Sequence, residues 1–287
     1  MVSEVLAHLE PSRGGVFVDC TVGLGGHTRA LLDAGAARVI GLDRDAAALA
    51  VARDSLSAFA DRVELVHSDY RALPGVLDAR GIAAVDGLLA DLGVSSMQLD
   101  EPGRGFSFRR DDPLDMRMDR STGQTAAEAI AAADERTLAD VIYEYGEERH
   151  ARRVARAIVE AGKSERIATT GRLADVVRRA IPRKGFSRID PATRTFQAIR
   201  IWVNRELDGL DGFVVSAASR LAHGGRLAII TFHSLEDRIV KHTLRSIQAS
   251  GGIGLTVRTK RPEVPSEAEV SRNPRARSAK LRAAERA

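Results

Sequence analysis

The order in which apolar runs and helical stretches follow one another constrains this chain more than any other feature. Residues 16–20, 38–43, 63–67 and 85–91 are short, rich in Val, Ile or Leu, and apolar at consecutive positions, the pattern of strands covered on both faces. Between them, 27–34 and 46–59 are Ala/Leu-rich and helical in composition, with a weaker helical piece at 73–79. Strand alternating with helix predicts an α/β fold with a mostly parallel sheet and helices on both faces, and right-handed crossovers fix its local hand.

A further buried strand is expected at 226–232, after a helix that stops at Gly224-Gly225 and before one that starts at Ser234 with Asp237 in the capping-box position. More than a hundred residues separate it from Asp91. A parallel crossover needs only about a dozen, so the excess is an insertion, and its middle is helical in pattern. Thr125 with Glu128 forms a capping box, 148–161 and 173–181 read as helices, the latter stopped by Pro182, and Asp190-Pro191 opens a long helix through Leu207. The expected division is 1–109 for the first part of the α/β domain, 110–195 for an inserted helical domain that recognises substrate, and 196–287 for the second part with a basic tail. The last fifteen residues, rich in Arg, Ala and Ser, read as disordered.

Composition narrows the class. With 44% hydrophobic and 29% charged residues over 287 positions, the chain is an ordinary globular protein whose core needs no disulfide or metal staple. Cys20 is the single cysteine, which excludes an intramolecular disulfide and fits a reducing compartment. No apolar run approaches the ~20 residues needed to span a bilayer, and the start lacks the parts of a signal peptide. The expected location is cytoplasmic, with no membrane and no metal among its partners. The net charge of +4 alone is only mildly suggestive of a polyanionic partner, but residues 178–205 carry eight bases (Arg178, Arg179, Arg183, Lys184, Arg188, Arg194, Arg200, Arg205) against Asp190, a local net of +7. Phe186, Phe196 and Trp202 are interleaved with them, a combination that suits unstacked nucleotides. Residues 256–287 net +5, from nine bases and four acids, and read as a solvated face.

Ligands of open parallel sheets bind beyond the carboxyl ends of the strands, and the chemistry-bearing residues collect there. The strand ends read Asp19-Cys-Thr-Val-Gly-Leu-Gly-Gly-His27, Gly41-Leu-Asp43-Arg-Asp45, His67-Ser-Asp69-Tyr70, Asp91-Leu-Gly-Val-Ser-Ser-Met-Gln98-Leu-Asp100 and Phe232-His-Ser-Leu-Glu236. Glycines at 23, 25 and 26 permit a tight turn and close ligand approach. Asp43, ending the next strand, is placed to accept both hydroxyls of an adenosine ribose. The spacing Gly-x-Gly-Gly lacks the third glycine of a pyrophosphate-binding turn, which favours S-adenosyl-L-methionine over a dinucleotide. Methyl transfer from a sulfonium is an in-line displacement governed by alignment. An exocyclic amine acceptor needs hydrogen-bond acceptors on its protons, and Asp91, Asp100 or a backbone carbonyl of the fourth loop supplies them. Asp91 also fits a purely structural strand cap. His233 stands where the released proton would be taken up, although a histidine at a strand end is more often simply hydrogen-bonded. His27 shapes the turn, and Cys20 packs in the core.

These segments resemble one family, the bacterial 16S rRNA cytosine N4-methyltransferases. The resemblance extends over nearly the whole chain through the first and fourth strand-end runs above together with Arg104-Gly-Phe-Ser107, Pro113-Leu-Asp-Met-Arg-Met118, Arg194-Thr-Phe-Gln-Ala-Ile-Arg-Ile-Trp-Val-Asn-Arg-Glu-Leu207 and Phe232-His-Ser-Leu-Glu-Asp-Arg-Ile-Val-Lys241. It implies a class I S-adenosylmethionine-dependent, Rossmann-like fold. It also implies a cofactor pocket formed by Gly25, Gly26, His27, Asp43, Tyr70, Asp91 and Gln98, with Tyr70 near the adenine, and a helical insertion that grips 16S rRNA of the small ribosomal subunit. Amino-directed nucleic-acid methyltransferases usually carry an aromatic residue at the fourth strand end, where this chain has Asp91-Leu-Gly-Val94. The surface that stacks a flipped cytosine is therefore expected from Phe106 or Phe108, with Phe232 as the alternative. Rival readings from the residues alone are a nicotinamide-dependent oxidoreductase, which would carry a complete Gly-x-Gly-x-x-Gly, a non-catalytic RNA-binding assembly factor, and a methyltransferase acting on DNA or protein.

Overall fold

The computed structural model describes residues 1–182 and 190–287. Strands β1 (Val16–Asp19), β2 (Arg38–Asp43), β3 (Val63–His67), β4 (Val85–Asp91), β5 (Leu221–Thr231), β6 (Leu255–Val257) and β7 (Lys280–Arg286) form one sheet in the order β3-β2-β1-β4-β5-β7-β6. The first five run parallel, and β7 lies antiparallel between β5 and β6. The helices in chain order are α1 (Val2–Leu9), α2 (Gly26–Asp33), α3 (Ala46–Ser55), α4 (Leu73–Asp78), α5 (Ser96–Asp100), α6 (Ala126–Ala132), α7 (Glu135–Gly146), α8 (Ala151–Ser164), α9 (Thr170–Ala180), α10 (Ala192–Asn204), α11 (Leu210–Ser219), α12 (Ser234–Ser250) and α13 (Glu267–Arg272). None of the described helices is long and apolar enough to cross a membrane.

The chain separates into two compact units, Met1–Gly93 with Leu207–Ala287, and Val94–Glu206. In the first, side chains leave the strands alternately toward two cores. Val18, Ile40, Leu42, Leu88, Ala90, Leu227 and Ile229 meet α4, α11 and α12 on one face, while Phe17, Val39, Leu89, Ala228 and Ile230 meet α1, α2 and α3 on the other. Double coverage is why the sequence runs are apolar at consecutive positions rather than at alternate ones. The strand order reverses between β1, which leads outward to β2 and β3, and β4, which leads to β5. That reversal is the switch point at which open α/β sheets take their ligands, and it sets the loops after β1 and β4 side by side.

The second unit is a helical bundle closed around Leu114, Met116, Leu138, Ile142, Val154, Ile158, Leu173, Val177, Phe196 and Ile199. It is wider than the 110–195 expected from sequence because the preceding loop belongs to the same packing. Arg104, 1% exposed, donates to the carbonyls of Arg117 (3.2 Å) and Met118 (3.1 Å). Asn204, on α10, donates to Met116 O (2.7 Å) and accepts from Met118 N (2.8 Å). Irregular backbone tied by buried polar side chains carries no hydrophobic period, so its membership in the bundle has no sequence signature.

Three local expectations are corrected. Helix α11 ends at Ser219 and β5 already begins at Leu221, so Gly224-Gly225 lies within the strand. The pairing of β4 with β5 shifts register between Val85 and Gly87, and a Cβ on Gly225 would stand 2.9 Å from Val85 O. The glycines mark a bulge rather than a helix stop. The capping box of α12 uses His233 and Glu236, not Asp237, whose carboxylate instead pairs with Arg282 (2.6 Å) and Lys280 (3.6 Å). The tail expected to be disordered contains β7. Leu281, Ala283 and Ala284 are buried, Arg282 is held by Asp237, and Arg286 donates to Leu221 O (2.6 Å). Paired bases at alternate positions hid a strand inside a basic composition.

Candidate active site

The turn after β1 is built around a buried acid. Asp19, fully buried at the strand's end, accepts from Thr21 N (3.1 Å) at Oδ1 and from Thr28 Oγ1 (2.7 Å) at Oδ2. Burial pushes its pKa up to about 6, partly offset by the charge of His27 and the Thr28 and Thr21 hydrogen bonds. Gly25 holds φ 87° at the N-cap of α2, and Gly26 opens the helix with empty space where a Cβ would stand. The positive φ requires glycine, and the open Gly26 face lets a ligand approach main chain. Cys20 is buried beside this turn, as expected, with its thiol pushed up by burial.

The end of β4 is tied to the same turn. Asp91 N donates to Thr21 Oγ1 (2.6 Å), and Asp91 Oδ2 lies 3.5 Å from His27 Nε2. The other oxygen, Asp91 Oδ1, and the other ring nitrogen, His27 Nδ1, are buried and lack hydrogen-bond partners among the described residues. Buried polar atoms normally find partners, so this pair keeps an unused acceptor and an unused ring nitrogen among the described residues. Burial disfavours charge on His27, but its hydrogen bond to Asp91 and the charges of Asp91 and Asp19 outweigh that and raise its pKa.

The end of β2 presents a different acid. Asp43 accepts from Gly23 N (2.7 Å) at Oδ2 and from Asp45 N (2.8 Å) at Oδ1. Each oxygen keeps lone-pair capacity, the arrangement a vicinal diol needs. Burial raises the Asp43 pKa, opposed by those two backbone hydrogen bonds. Asp45 caps α3 by accepting from Ala47 N (3.1 Å). Beyond β3, Asp69 is clamped by Arg71 through two 2.7 Å hydrogen bonds. Burial works against that charge, yet the Arg71 pairing prevails and lowers its pKa. The Tyr70 ring, 8% exposed, packs on Phe213 at 4.6 Å, and burial pushes its hydroxyl up.

At the end of β5 the imidazole of His233 serves as the cap of α12. Its Nδ1 accepts from Glu236 N (3.5 Å), and Glu236, 2% exposed, accepts from Phe232 N (2.9 Å) and His233 N (3.4 Å). Phe232 lies against Gly93, whose added Cβ would meet the ring at 3.3 Å. An aromatic therefore borders the β4 end even though the loop itself has none.

The remaining expected residues lie in the second unit. Gln98 is buried in a capping box with Ser95, accepting from Ser95 N (3.0 Å), and Asp100 is exposed at the last position of α5. Phe106 is buried, Phe108 packs on Phe196 at 4.7 Å, and Phe196 itself is 5% exposed. The interleaving of Phe196 with basic residues thus reflects bundle packing rather than an exposed stacking surface, and Trp202 packs partly buried on the same core. Arg178 pairs with Asp190 (2.9 Å) and Asp175 (3.2 Å), Arg200 forms a bidentate pair with Glu206 (2.9 and 2.8 Å), and Arg194 lies 3.7 Å from Glu148. Arg179 is exposed. Arg183, Lys184, Phe186 and Arg188 lie outside the described residues. Sequence reasoning assigned no role to Asp19, Thr21 and Thr28. Their signal was present, an acid and two hydroxyls flanking the glycine turn, but it does not distinguish loop scaffolding from ligand contact.

A family model described as the MraW methylase family matches residues 1–287. The chain is 54% identical over 283 residues to a protein of Sorangium cellulosum, covering 99% of this chain and 88% of that one. It is 50% identical over 295 residues to one of Bradyrhizobium diazoefficiens (99% and 89%), and 47% identical over 302 residues to one of Geotalea uraniireducens (100% and 97%). Each of the three is named "Ribosomal RNA small subunit methyltransferase H".

Proposed function

The chain belongs to the MraW methylase family, and from that premise we propose that it is a cytoplasmic, S-adenosyl-L-methionine-dependent methyltransferase that methylates the exocyclic N4 of a cytosine in 16S rRNA of the small ribosomal subunit. The substrate class follows relatives about half identical over nearly their whole length. The observation that carries the chemistry is the two acids that end the strands on either side of β1, Asp43 on β2 and Asp91 on β4. Asp43 has lone pairs left for a diol, and Asp91 has one buried oxygen without a partner among the described residues.

The residues fit the cofactor. Asp43 accepts the ribose hydroxyls, and the open main chain at Gly25, Gly26 and His27 receives the methionine end. Tyr70 borders the adenine, and Gln98 is a further contact on the strength of the family resemblance. S-adenosyl-L-methionine, when bound, supplies a methyl group on a sulfonium, an electrophile open to in-line attack. Asp91 holds the reacting groups in register, with Oδ2 fixed by His27 and Oδ1 free to accept an N–H. A hydrogen bond accepted from the amine pushes electron density onto its nitrogen, which is otherwise delocalised into the ring. Asp100, the exposed acid that ends α5, is the candidate acceptor for the departing proton, and His233, held as a helix cap, positions the β5 end where Phe232 lies.

Incubating undermethylated small subunits with labelled S-adenosyl-L-methionine, followed by nucleoside analysis, tests the proposal. Label in N4-methylcytidine is the expected result, and label in any other nucleoside or in protein overturns it.

A further inference from the structure

Among the described bases of 178–205, Arg178, Arg194 and Arg200 are paired with carboxylates. Helix α8 is arranged differently. Ala151, Val154, Ala155 and Ile158 recur at helical spacing and face the bundle core. On the exposed side stand Arg149, in the turn just before the helix, and Arg152 and Arg153 in its first turn. None of the three has a carboxylate within ion-pair distance among the described residues. Arg156, one turn further on, is held 3.3 Å from Glu135. On α7 the exposed Arg136 is paired with Asp140 (4.0 Å); Arg109, Arg166 and Arg179 are exposed singly elsewhere in the unit, whereas Arg149, Arg152 and Arg153 stand together at the start of α8.

Helix stability does not account for them. The first turn of α8 contains no acid, and cations there oppose the helix macrodipole. Three guanidiniums without counter-charges, placed where they cost the helix stability, suit an external polyanion. Positions 149 to 153 correspond to about 6 Å of helical rise, roughly the axial separation of two to three successive phosphates of a duplex strand.

We propose that the face of α8 formed by Arg149, Arg152 and Arg153 is the surface on which the sugar-phosphate backbone of the ribosomal RNA substrate docks. The proposal rests on the functional reading above and deepens it, locating substrate grip on residues the basic run at 178–205 does not include. Guanidiniums pair phosphate oxygens bidentately, so this surface contributes affinity and register while target choice resides elsewhere.

The test compares the full chain, Arg149→Gln/Arg152→Gln/Arg153→Gln, and a charge-matched control in the first unit, Arg53→Gln/Arg245→Gln/Lys260→Gln. Binding to protein-free 16S rRNA is measured across a KCl series, and methylation of undermethylated small subunits at saturating S-adenosyl-L-methionine. Glutamine keeps helix propensity, and equal melting temperatures verify folding. The expected result for the α8 variant is a rise in KM for subunits of roughly tenfold or more, kcat within about twofold, and a salt slope for rRNA binding reduced by about two to three. Lysine at the three positions recovers most of the slope. An α8 variant that matches the control, or that loses subunit affinity while binding protein-free rRNA as wild type does, overturns the surface; the latter outcome reveals a protein contact. Wild-type chain that methylates no rRNA overturns the functional reading itself, and is distinguishable because it fails without any substitution.

Discussion

Asp91 stands with Oδ2 3.5 Å from His27 Nε2 while its Oδ1 is buried and has no hydrogen-bond partner among the described residues. One oxygen is fixed and the other has no use among the described residues. Because β1 and β4 are neighbours at the sheet's reversal, the turn that carries His27 and the strand end that carries Asp91 meet without any long loop having to be ordered.

Asp91→Asn should therefore lower kcat by about 10²–10³-fold at saturating cofactor and subunit, because the free acceptor loses its charge. His27→Ala should cost about tenfold through loss of its contact with Asp91. Equal losses in single-turnover assays would show that both side chains touch the reacting groups.

Asp43 carries the opposite expectation. Its carboxylate already takes two backbone N–H groups, so Asp43→Asn loses acceptor strength toward a diol and introduces an amide donor that conflicts with Gly23 N or Asp45 N. Binding of S-adenosyl-L-methionine should weaken by about 10–100-fold, equivalent to one or two charge-assisted hydrogen bonds, with kcat at saturation changed little. Isothermal titration calorimetry reads the first effect and initial rates the second. A fall in kcat with unchanged affinity would move Asp43 out of the ribose site.

Asp19 links the site to stability. Its folded pKa of about 6 lies above the ordinary 3.8, so its favourable contribution is complete below pH 4 and is lost as pH rises through 6. His27, also raised above its ordinary value, changes stability in the same direction around and above neutrality. For Asp19 the loss amounts to at most about 3 kcal/mol. Asp19→Asn keeps the shape and a hydrogen bond to Thr28 but does not ionise. Its urea-unfolding free energy relative to wild type should increase between pH 4.5 and 8 by up to that amount. Parallel curves would mean that ionised Asp19 is better compensated than its burial implies.

The strands, the helices between them and the carboxyl-end rim were legible because they rest on local periodicity and on residue types at strand ends. β2, β3 and β4 have the bounds read from sequence. What was hidden depends on partners distant in the chain. Arg282 reads as a solvated base until Asp237 is beside it, 45 positions earlier. Arg200 reads as a phosphate ligand until Glu206 neutralises it. Phe196 reads as a stacking ring until Phe108 covers it. Periodicity reports which face of an element is buried, whereas the fate of a charge is decided by tertiary neighbours.

The C-terminal strand supplies the sharpest contrast between composition and packing. β7 pairs along both edges, with six residues of β5 and three of β6. Leu281 and Ala283 enter the core against α1, and Ala284 enters the opposite one. Removing residues 280–287 exposes the edge of β5, strands β6 without a neighbour, and leaves Asp237 without Arg282. The loss of that burial and of buried backbone hydrogen bonds exceeds the roughly 5–15 kcal/mol by which domains are stable. The truncated chain should accordingly be insoluble or lack a cooperative thermal transition, as scanning calorimetry would show. A milder variant, Ala283→Asp, places one unpaired carboxylate in the same core and should lower the melting temperature by several degrees or more. A truncated chain that melts as wild type does would return the tail to the class of dispensable basic extensions.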